Sequence, residues 1–151
     1  MWLWFAGMID LVIIDQLSKL YVVANFKLHD PIAILPSLNI SLAYNQGAAF
    51  GMLGTENGWQ RWFFIVVAAI VSAIIIVWQA RLTVKDRWES LALACILGGA
   101  LGNLIDRIAY GHVVDFIDFY IGSWHWYTFN IADIAICVGA FILGIQTLRK
   151  N

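Results

Sequence analysis

Long apolar runs alternate with shorter polar connections along the whole chain. A helix needs about 20 residues to cross the hydrocarbon layer of a membrane. Four runs reach about that length, and they cover residues 2–24, 61–80, 88–105 and 130–148. Residues 62–79 contain no charged side chain, whereas the first run contains Asp10, Asp15 and Lys19. Because the runs are continuous rather than alternating in polarity, we predict four transmembrane helices and not a β-barrel.

The two longer connections have patterns of their own. Apolar and polar residues alternate from Leu38 to Asn45, which is the period of a half-buried strand. A turn is predicted at residues 45–47, and Gly51 and Gly54 follow it. Residues 112–120 form a mostly apolar segment that we expect to lie on or dip into the membrane surface. A small sheet against the outer ends of the helices would accommodate both patterns.

Composition excludes two classes of protein. The chain has 151 residues, of which 62% are hydrophobic and 13% charged, and its mean hydropathy is +0.78. A soluble domain has about 25% charged residues, so a water-soluble globule is excluded. Disorder requires low hydrophobicity and high net charge, whereas the net charge here is -1. The predicted fold class is therefore an all-α integral membrane protein, a four-helix transmembrane bundle with a small extracytoplasmic β-sheet or loop element. Residues 1–151 are predicted to form one domain.

Basic residues are distributed unequally between the connections. The connection after the second span and the C-terminal tail carry Arg81, Lys85, Arg87, Arg149 and Lys150. The two longer connections carry only Lys27 and Arg107, with Arg61 at the border of a span. Because cytoplasmic loops are enriched in Lys and Arg, both termini are predicted to be cytoplasmic and the longer connections extracytoplasmic.

Polar and ionisable residues in or beside the spans are the candidates for function, because a charge there costs about 2.5–3.5 kcal/mol on insertion scales. On the predicted topology they lie in the outer half of the membrane or just beyond it, where they can converge on one site. They are Asp15, Lys19, Asn45, Asn103, Asp106, Arg107, Asp115, Asp118, Asn130 and Asp133.

Purely structural roles are available for the same residues. Asp15 and Lys19 lie four residues apart on one helix face and can neutralise each other. Asp106 and Arg107 can form a surface ion pair at a helix end. Asn130 can cap a helix whose first turn contains Asp133.

Several catalytic patterns are missing from the sequence. It contains no H-E-x-x-H zinc motif and no G-x-S-x-G motif, and Ser18 does not share a helix face with Lys19. Carboxylates remain as candidate catalytic groups. Two carboxylates that lie close together can share one proton. The ionised one then takes a proton from water while the protonated one donates to a substrate carbonyl. This is peptide hydrolysis without a covalent intermediate, and spacing alone does not choose between Asp115 and Asp118.

Five segments in this order resemble the lipoprotein signal peptidases, the signal peptidase II family of bacteria. They are Asp15 with Lys19, YNQGAAFG at 44–51, GGALGNLIDR at 98–107, VVDF at 113–116 and FNIAD at 129–133. Each segment is weak evidence by itself, but the ordered set extends over essentially the whole chain and fits four spans. The D-T-G and D-S-G tripeptides of pepsin-type proteases do not occur.

The resemblance implies an aspartic endopeptidase of the bacterial inner membrane, with its active site near the periplasmic face. It would remove the signal peptide from prolipoproteins by cleaving before the diacylglyceryl-cysteine. Asp115 and Asp133 would be the catalytic pair. The other matching positions would bind substrate or support the pair: Asp15, Lys19, Asn45, Asn103, Asp106, Arg107 and Asn130.

The expected partners are the diacylglyceryl-modified prolipoprotein and membrane lipids. No cofactor, metal ion or nucleic acid is expected, and the expected state is a monomer. Two alternatives stay open. A non-enzymatic four-span transporter or membrane assembly factor would use the same charges as buried pairs or as a proton path. A serine-lysine signal peptidase would use Ser18 or Ser41.

Overall fold

The computed structural model describes residues 2–47 and 58–150. In this part of the chain there are four long helices, α1 (Trp2–Asn25), α2 (Trp59–Arg81), α3 (Arg87–Tyr110) and α4 (Ile131–Lys150). Four strands accompany them, β1 (Ile32–Leu35), β2 (Leu38–Asn45), β3 (Val113–Ile121) and β4 (Trp124–His125). Gly51, Gly54 and positions 48–51 of the second motif lie outside the described residues.

Each predicted span corresponds to a helix, but α3 is longer than predicted. The third span was predicted to end at residue 105, whereas α3 continues to Tyr110. It ends there because Gly111 adopts a left-handed conformation with φ 81°, and its N–H donates to the carbonyl of Arg107. Asp106 and Arg107 therefore belong to the helix and not to the connection after it.

Three of the described helices are long and apolar enough to cross a membrane. They are α2, α3 and residues Ile131–Arg149 of α4, with hydropathies of 2.6, 1.5 and 2.0 over their most apolar windows. Helix α1 has 24 residues, but its three charged side chains keep it out of this group. The molecule is thus an integral membrane fold with three apolar helices and a small sheet, and the predicted count of four spans is not confirmed.

Helix α3 lies at the centre of the bundle and contacts each of the other three helices. Glycines make these contacts close, because a Cβ at Gly98 would stand 2.9 Å from Leu11 of α1 and a Cβ at Gly99 would meet the backbone of Ala132 in α4. Gly139 of α4 likewise packs against the carbonyl of Ala92. Small residues allow helices to approach in this way without a driving force from water.

The strands form one antiparallel sheet in the order β1-β2-β3-β4. Strand β2 has the bounds that the alternation predicted. The mostly apolar segment predicted at residues 112–120 corresponds to strand β3, which pairs with β2 through Asn45↔Val113 and Ala43↔Asp115. The start of β3 is buried because Val114 and Phe116 pack with Val22 of α1 and Leu42 of β2. The sheet thereby brings Asn45 and Asp115 to the ends of the helices.

Candidate active site

Helix α4 begins with a reciprocal pair of hydrogen bonds between Asn130 and Asp133. The N–H of Asp133 donates to Asn130 Oδ1 at 2.9 Å, and the N–H of Asn130 donates to Asp133 Oδ2 at 3.2 Å. This is the geometry of a capping box, so the predicted helix start is confirmed. The pair leaves Asp133 Oδ1 and the amide nitrogen of Asn130 available for other partners.

Asp115 lies on β3 between two asparagine side chains. Its Oδ1 accepts a hydrogen bond from Asn130 Nδ2 at 2.7 Å, and its Oδ2 accepts one from Asn45 Nδ2 at 3.0 Å. Only 2% of Asp115 is exposed. Strand pairing supplies Asn45 and the start of α4 supplies Asn130, so three separate elements build this carboxylate site.

Asn103 of α3 connects Asp133 to the same network. Its Nδ2 donates to Asp133 Oδ1 at 2.8 Å, and its Oδ1 accepts from Asn130 Nδ2 at 3.1 Å. Asn130 therefore contacts both aspartates, through its side chain at Asp115 and through its backbone at Asp133. The two carboxylates belong to one hydrogen-bonded cluster.

Lys19 lies at the centre of the polar cluster and is 3% exposed. Its Nζ lies 2.8 Å from Asp15 Oδ2, 2.9 Å from Asp106 Oδ2 and 3.0 Å from Asn103 Oδ1. The predicted pairing of Asp15 with Lys19 is confirmed. The surface ion pair suggested for Asp106 and Arg107 is wrong, because Asp106 is 1% exposed and pairs with Lys19 instead.

The two aspartates around Lys19 also hold backbone elements. Asp15 Oδ1 accepts the N–H of Ala132 at 3.0 Å, and Asp106 Oδ2 accepts the N–H of Val114 at 3.0 Å. The first bond joins α1 to the start of α4, and the second joins α3 to β3. The buried ion cluster therefore fixes the two segments that carry Asp133 and Asp115.

The lysine also determines which way the two asparagine amides face. An ammonium group has three donors and no acceptor, so the Asn103 atom that faces Lys19 must be the oxygen. The Asn103 nitrogen then faces Asp133. The Asn103 oxygen also faces the side chain of Asn130. The Asn130 group that faces both this oxygen and Asp115 must therefore be the NH₂ group. One buried cation thus directs an N–H toward each carboxylate.

Arg107 completes the polar side of the site. Its guanidinium donates to the carbonyl of Asn103 at 3.3 Å and to the carbonyl of Gly47 at 3.2 Å. It lies over the ring of Phe64 on α2, 5.2 Å from the ring centroid. Arg107 thereby links α3 to the residues just after β2 and to α2.

A cavity of about 580 Å³ opens beside these groups. Asn45, Asn103, Arg107, Asp115 and Asp133 line its polar side. The remaining lining is mostly aromatic or aliphatic and comes from Val113, the segment before α4 and α4 itself: Trp126, Tyr127, Thr128, Phe129, Ile134, Ile136, Cys137 and Val138. A mostly apolar cavity with a few convergent polar groups is typical of a ligand site.

The electrostatics of the cavity affect Asp115 strongly. Burial, and next the neighbouring Asp133 carboxylate, raise the pKa of Asp115 to about 7, although hydrogen bonds from Asn45 and Asn130 and the charge of Lys19 lower it. A carboxyl group with a pKa near neutral pH can donate or accept a proton under physiological conditions. Such a group in a cavity is a candidate for proton transfer.

Asp118, the alternative to Asp115, lies away from the cavity lining. Its Oδ2 accepts a hydrogen bond from Asn39 Nδ2 at 2.7 Å, and its Oδ1 lies 2.8 Å from Nδ1 of His125. Asp115 and Asp118 are three residues apart on β3, so a strand directs them to opposite faces. Ser18 of the serine-lysine alternative donates to the carbonyl of Asp15 at 2.7 Å, a local bond within its own helix.

Sequence reasoning missed two parts of the site. Gln16 was not singled out, yet its Nε2 lies 2.9 Å from Asp106 Oδ1 and 3.2 Å from the carbonyl of Gly102. The feature of the sequence that could have identified Gln16 is its position as a polar residue next to Asp15 inside an apolar run. The other part is the wall at residues 126–129, which was not predicted to line the site. Among the described residues, no group of three or more His, Cys, Asp or Glu could hold a metal ion.

Gly102 leaves the space that Asp15 occupies. A Cβ at this position would stand 2.6 Å from Asp15 Oδ2. Gly102→Ala is therefore expected to displace Asp15 from Lys19 and to lower the free energy of unfolding by about 1–3 kcal/mol, as overpacking does. Thermal unfolding in detergent measures the effect. Gly144→Ala is the matched control, because a Cβ there meets nothing within 4 Å, and an equal loss in both variants would contradict the assignment.

The fold and the site together define a class, an integral membrane enzyme with a cavity beside its helix ends. The model of the family described as signal peptidase (SPase) II matches residues 8–149. The lipoprotein signal peptidase of Coxiella burnetii strain RSA 331 is 51% identical over 148 residues, which cover 97% of this chain and 89% of the relative. That of Photorhabdus laumondii is 45% identical over 146 residues, covering 97% and 86%. The chain belongs to the signal peptidase II family of peptidases.

Solved structures agree with the fold. One described as a bacterial membrane enzyme at 2.3 Å resolution superposes with a TM-score of 0.89 at 31% identity, covering 99% of this chain and 89% of that chain. A second, at 1.9 Å resolution, gives a TM-score of 0.87 at 30% identity and covers 100% and 96%.

Proposed function

We propose that the protein is an aspartic endopeptidase that removes the signal peptide from lipid-modified prolipoproteins, with Asp115 and Asp133 as its catalytic pair. One observation carries the proposal: both carboxylates line the same cavity and belong to one hydrogen-bonded cluster. The substrate class follows from the relatives, which are lipoprotein signal peptidases. Cleavage would fall just before the diacylglyceryl-cysteine.

In the proposed reaction the two aspartates share one proton. We assign it to Asp115, whose raised pKa favours the neutral form, and we assign the ionised role to Asp133. Asp133 takes a proton from a water molecule whose oxygen attacks the scissile carbonyl carbon, while Asp115 donates its proton to the carbonyl oxygen. The tetrahedral intermediate collapses when Asp133 returns a proton to the amide nitrogen and Asp115 recovers one from the hydroxyl. The C–N bond breaks, and the dyad regains its starting protonation.

The supporting residues have distinct proposed roles. Asn45, Asn103 and Asn130 hold the two carboxylates through amide N–H groups. Lys19, with Asp15 and Asp106, orients those amides. Arg107 has guanidinium donors at the cavity that are suited to a substrate carbonyl.

The surface of α1 supports a fourth span. Asp15 and Lys19 are buried against the bundle, whereas Ile14, Leu17 and Leu20 are more than half exposed. Two of the three charged side chains of α1 are thus hidden, whereas Asp10 is exposed, and the exposed aliphatic side chains are suited to lipid. We place the protein in the bacterial inner membrane as a monomer and a single domain, with both termini cytoplasmic and the site near the periplasmic face. The apolar wall of the cavity would then receive the lipidated, apolar substrate from the bilayer.

Cleavage of a lipidated peptide by the purified protein tests this function. The expected result is one cut just before the diacylglyceryl-cysteine, read by mass spectrometry. A transporter or assembly factor would leave the peptide intact. Ser18→Ala and Ser41→Ala are expected to retain activity, which separates the aspartic mechanism from a serine-lysine one.

The pH profile tests the state of Asp115. Because the reaction requires Asp115 protonated, kcat/KM is expected to fall as pH rises through about 7. Asn45→Ala removes a hydrogen bond that lowers the pKa of Asp115, so the alkaline limb is expected to move to higher pH even if the maximal rate falls. A limb that stays in place or moves to lower pH in this variant would contradict the role of Asp115.

A further inference from the structure

Arg61, in the first turn of α2, reaches across to the end of α3. Its Nε donates to the carbonyl of Arg107 at 2.9 Å, and its Nη2 donates to the carbonyl of Ile108 at 3.0 Å. These carbonyls belong to the last turn of α3, where helix carbonyls have no partner within the helix. A cation at a helix C-terminus is also favoured by the helix dipole. Arg61 therefore caps α3 from a neighbouring helix.

The capped turn contains Arg107, whose side chain lines the cavity. The Arg107 carbonyl accepts two hydrogen bonds, from Arg61 and from the N–H of Gly111. Gly111 is close to Arg61, because a Cβ there would stand 3.4 Å from a guanidinium nitrogen and its φ is 81°. Phe64, one turn after Arg61 on α2, lies under the Arg107 guanidinium. The backbone and the side chain of Arg107 are thus both held by α2, although neither Arg61 nor Phe64 lines the cavity.

We propose that Arg61 is a positioning residue for the peptidase reaction, which acts by holding Arg107 in its place at the cavity. This inference rests on the proposed function, since it assigns Arg107 to the substrate. It gives α2 a part in the reaction without a direct contact to substrate. Arginine is suited to the task because its planar group donates to two adjacent carbonyls at once, which a lysine cannot do with fixed geometry.

Steady-state kinetics with the lipidated peptide test this role. Arg61→Ala is expected to raise KM about fivefold, the effect of one misplaced hydrogen-bonding group, with kcat within about twofold of wild type. Arg61→Lys is expected to raise KM by a smaller factor. Arg81→Ala is the control, because Arg81 lies at the other end of the same helix and is exposed; its KM should match that of the wild type.

A double-mutant cycle distinguishes positioning from general support of the fold. In an Arg107→Ala background, Arg61→Ala should have no further effect on KM, because the group that it positions is gone. A multiplicative effect of the two changes, or an unchanged KM in Arg61→Ala, overturns the inference. If Arg61→Ala does not fold, the cycle is run with Arg61→Lys and the same criteria. Failure of the wild type to cleave overturns the proposed function and this inference together, whereas cleavage with an unaltered KM overturns this inference alone.

Discussion

Replacing either Asp115 or Asp133 with asparagine is expected to lower kcat/KM for a lipidated prolipoprotein about a thousandfold or more, as loss of a group that transfers protons does. Asparagine keeps the shape of the side chain and removes its ability to exchange protons. At Asp115 the change also replaces one of the two oxygens that accept from Asn45 and Asn130 with an NH₂ group. At Asp133 it replaces one of the two oxygens that accept from Asn103 and from the N–H of Asn130. The two variants should be similarly inactive, because neither carboxylate acts without the other.

Asp118→Asn is the matched control for this prediction. Asp118 lies on the same strand as Asp115 and is also buried, but it pairs with Asn39 and His125 away from the cavity lining. We expect activity within a few-fold of wild type. Thermal unfolding of all three variants shows whether each is folded. Substantial turnover by folded Asp115→Asn or Asp133→Asn would remove that residue from the catalytic pair.

Replacing Lys19 with methionine is expected to lower the free energy of unfolding by about 3–5 kcal/mol, the cost of leaving buried charges without their partner. Asp15 and Asp106 are both almost fully buried and both lie within 3 Å of Lys19 Nζ. The same change removes the donor that orients Asn103. Activity should therefore fall even under conditions where the variant stays folded.

Two further variants separate the charge effect from packing. Lys27→Met, at an exposed position just after α1, should leave the unfolding midpoint within about a degree or two of wild type, as surface changes do. Adding Asp15→Asn and Asp106→Asn to Lys19→Met removes the unpaired charges and should recover part of the lost stability. No recovery in the triple variant would show that packing, rather than charge, accounts for the loss.

Hydrophobic patterning predicts the parts of this fold whose physical cause is local. The helices at residues 59–81 and 131–150 follow from apolar runs that carry no charge at residues 62–79 and 134–148. Strand β2 follows from the alternation between Leu38 and Asn45. The end of α3 could not be placed, because Gly111 stops the helix through its own conformation and a hydrogen bond back to Arg107. A small sheet was predicted to include the segment around β3, but the burial of its start could not be predicted, because it depends on Val22 and Leu42 from distant parts of the chain.

The membership of the polar cluster could be predicted, but its connections could not. Scarcity of charge in an apolar chain directs attention to each ionisable residue, and this identifies Asp15, Lys19 and Asp106. Their partners depend on how three helices and a sheet meet. The pairing of Asp106 with Lys19 rather than with its neighbour Arg107 is therefore a property of the assembled structure. The choice of Asp115 over Asp118 came from the family resemblance and is supported by the cavity that Asp115 lines.

The most direct test of the carboxylate pair is a crystal structure with a lipidated peptide analogue. In this analogue a non-cleavable linkage that carries a hydroxyl group replaces the scissile peptide bond. The hydroxyl takes the place of the attacking water. We expect its oxygen within hydrogen-bond distance, about 2.6–3.2 Å, of one carboxylate oxygen of Asp115 and one of Asp133. A hydroxyl that contacts only one of the two aspartates, or a peptide bound outside their cavity, would contradict the proposed mechanism.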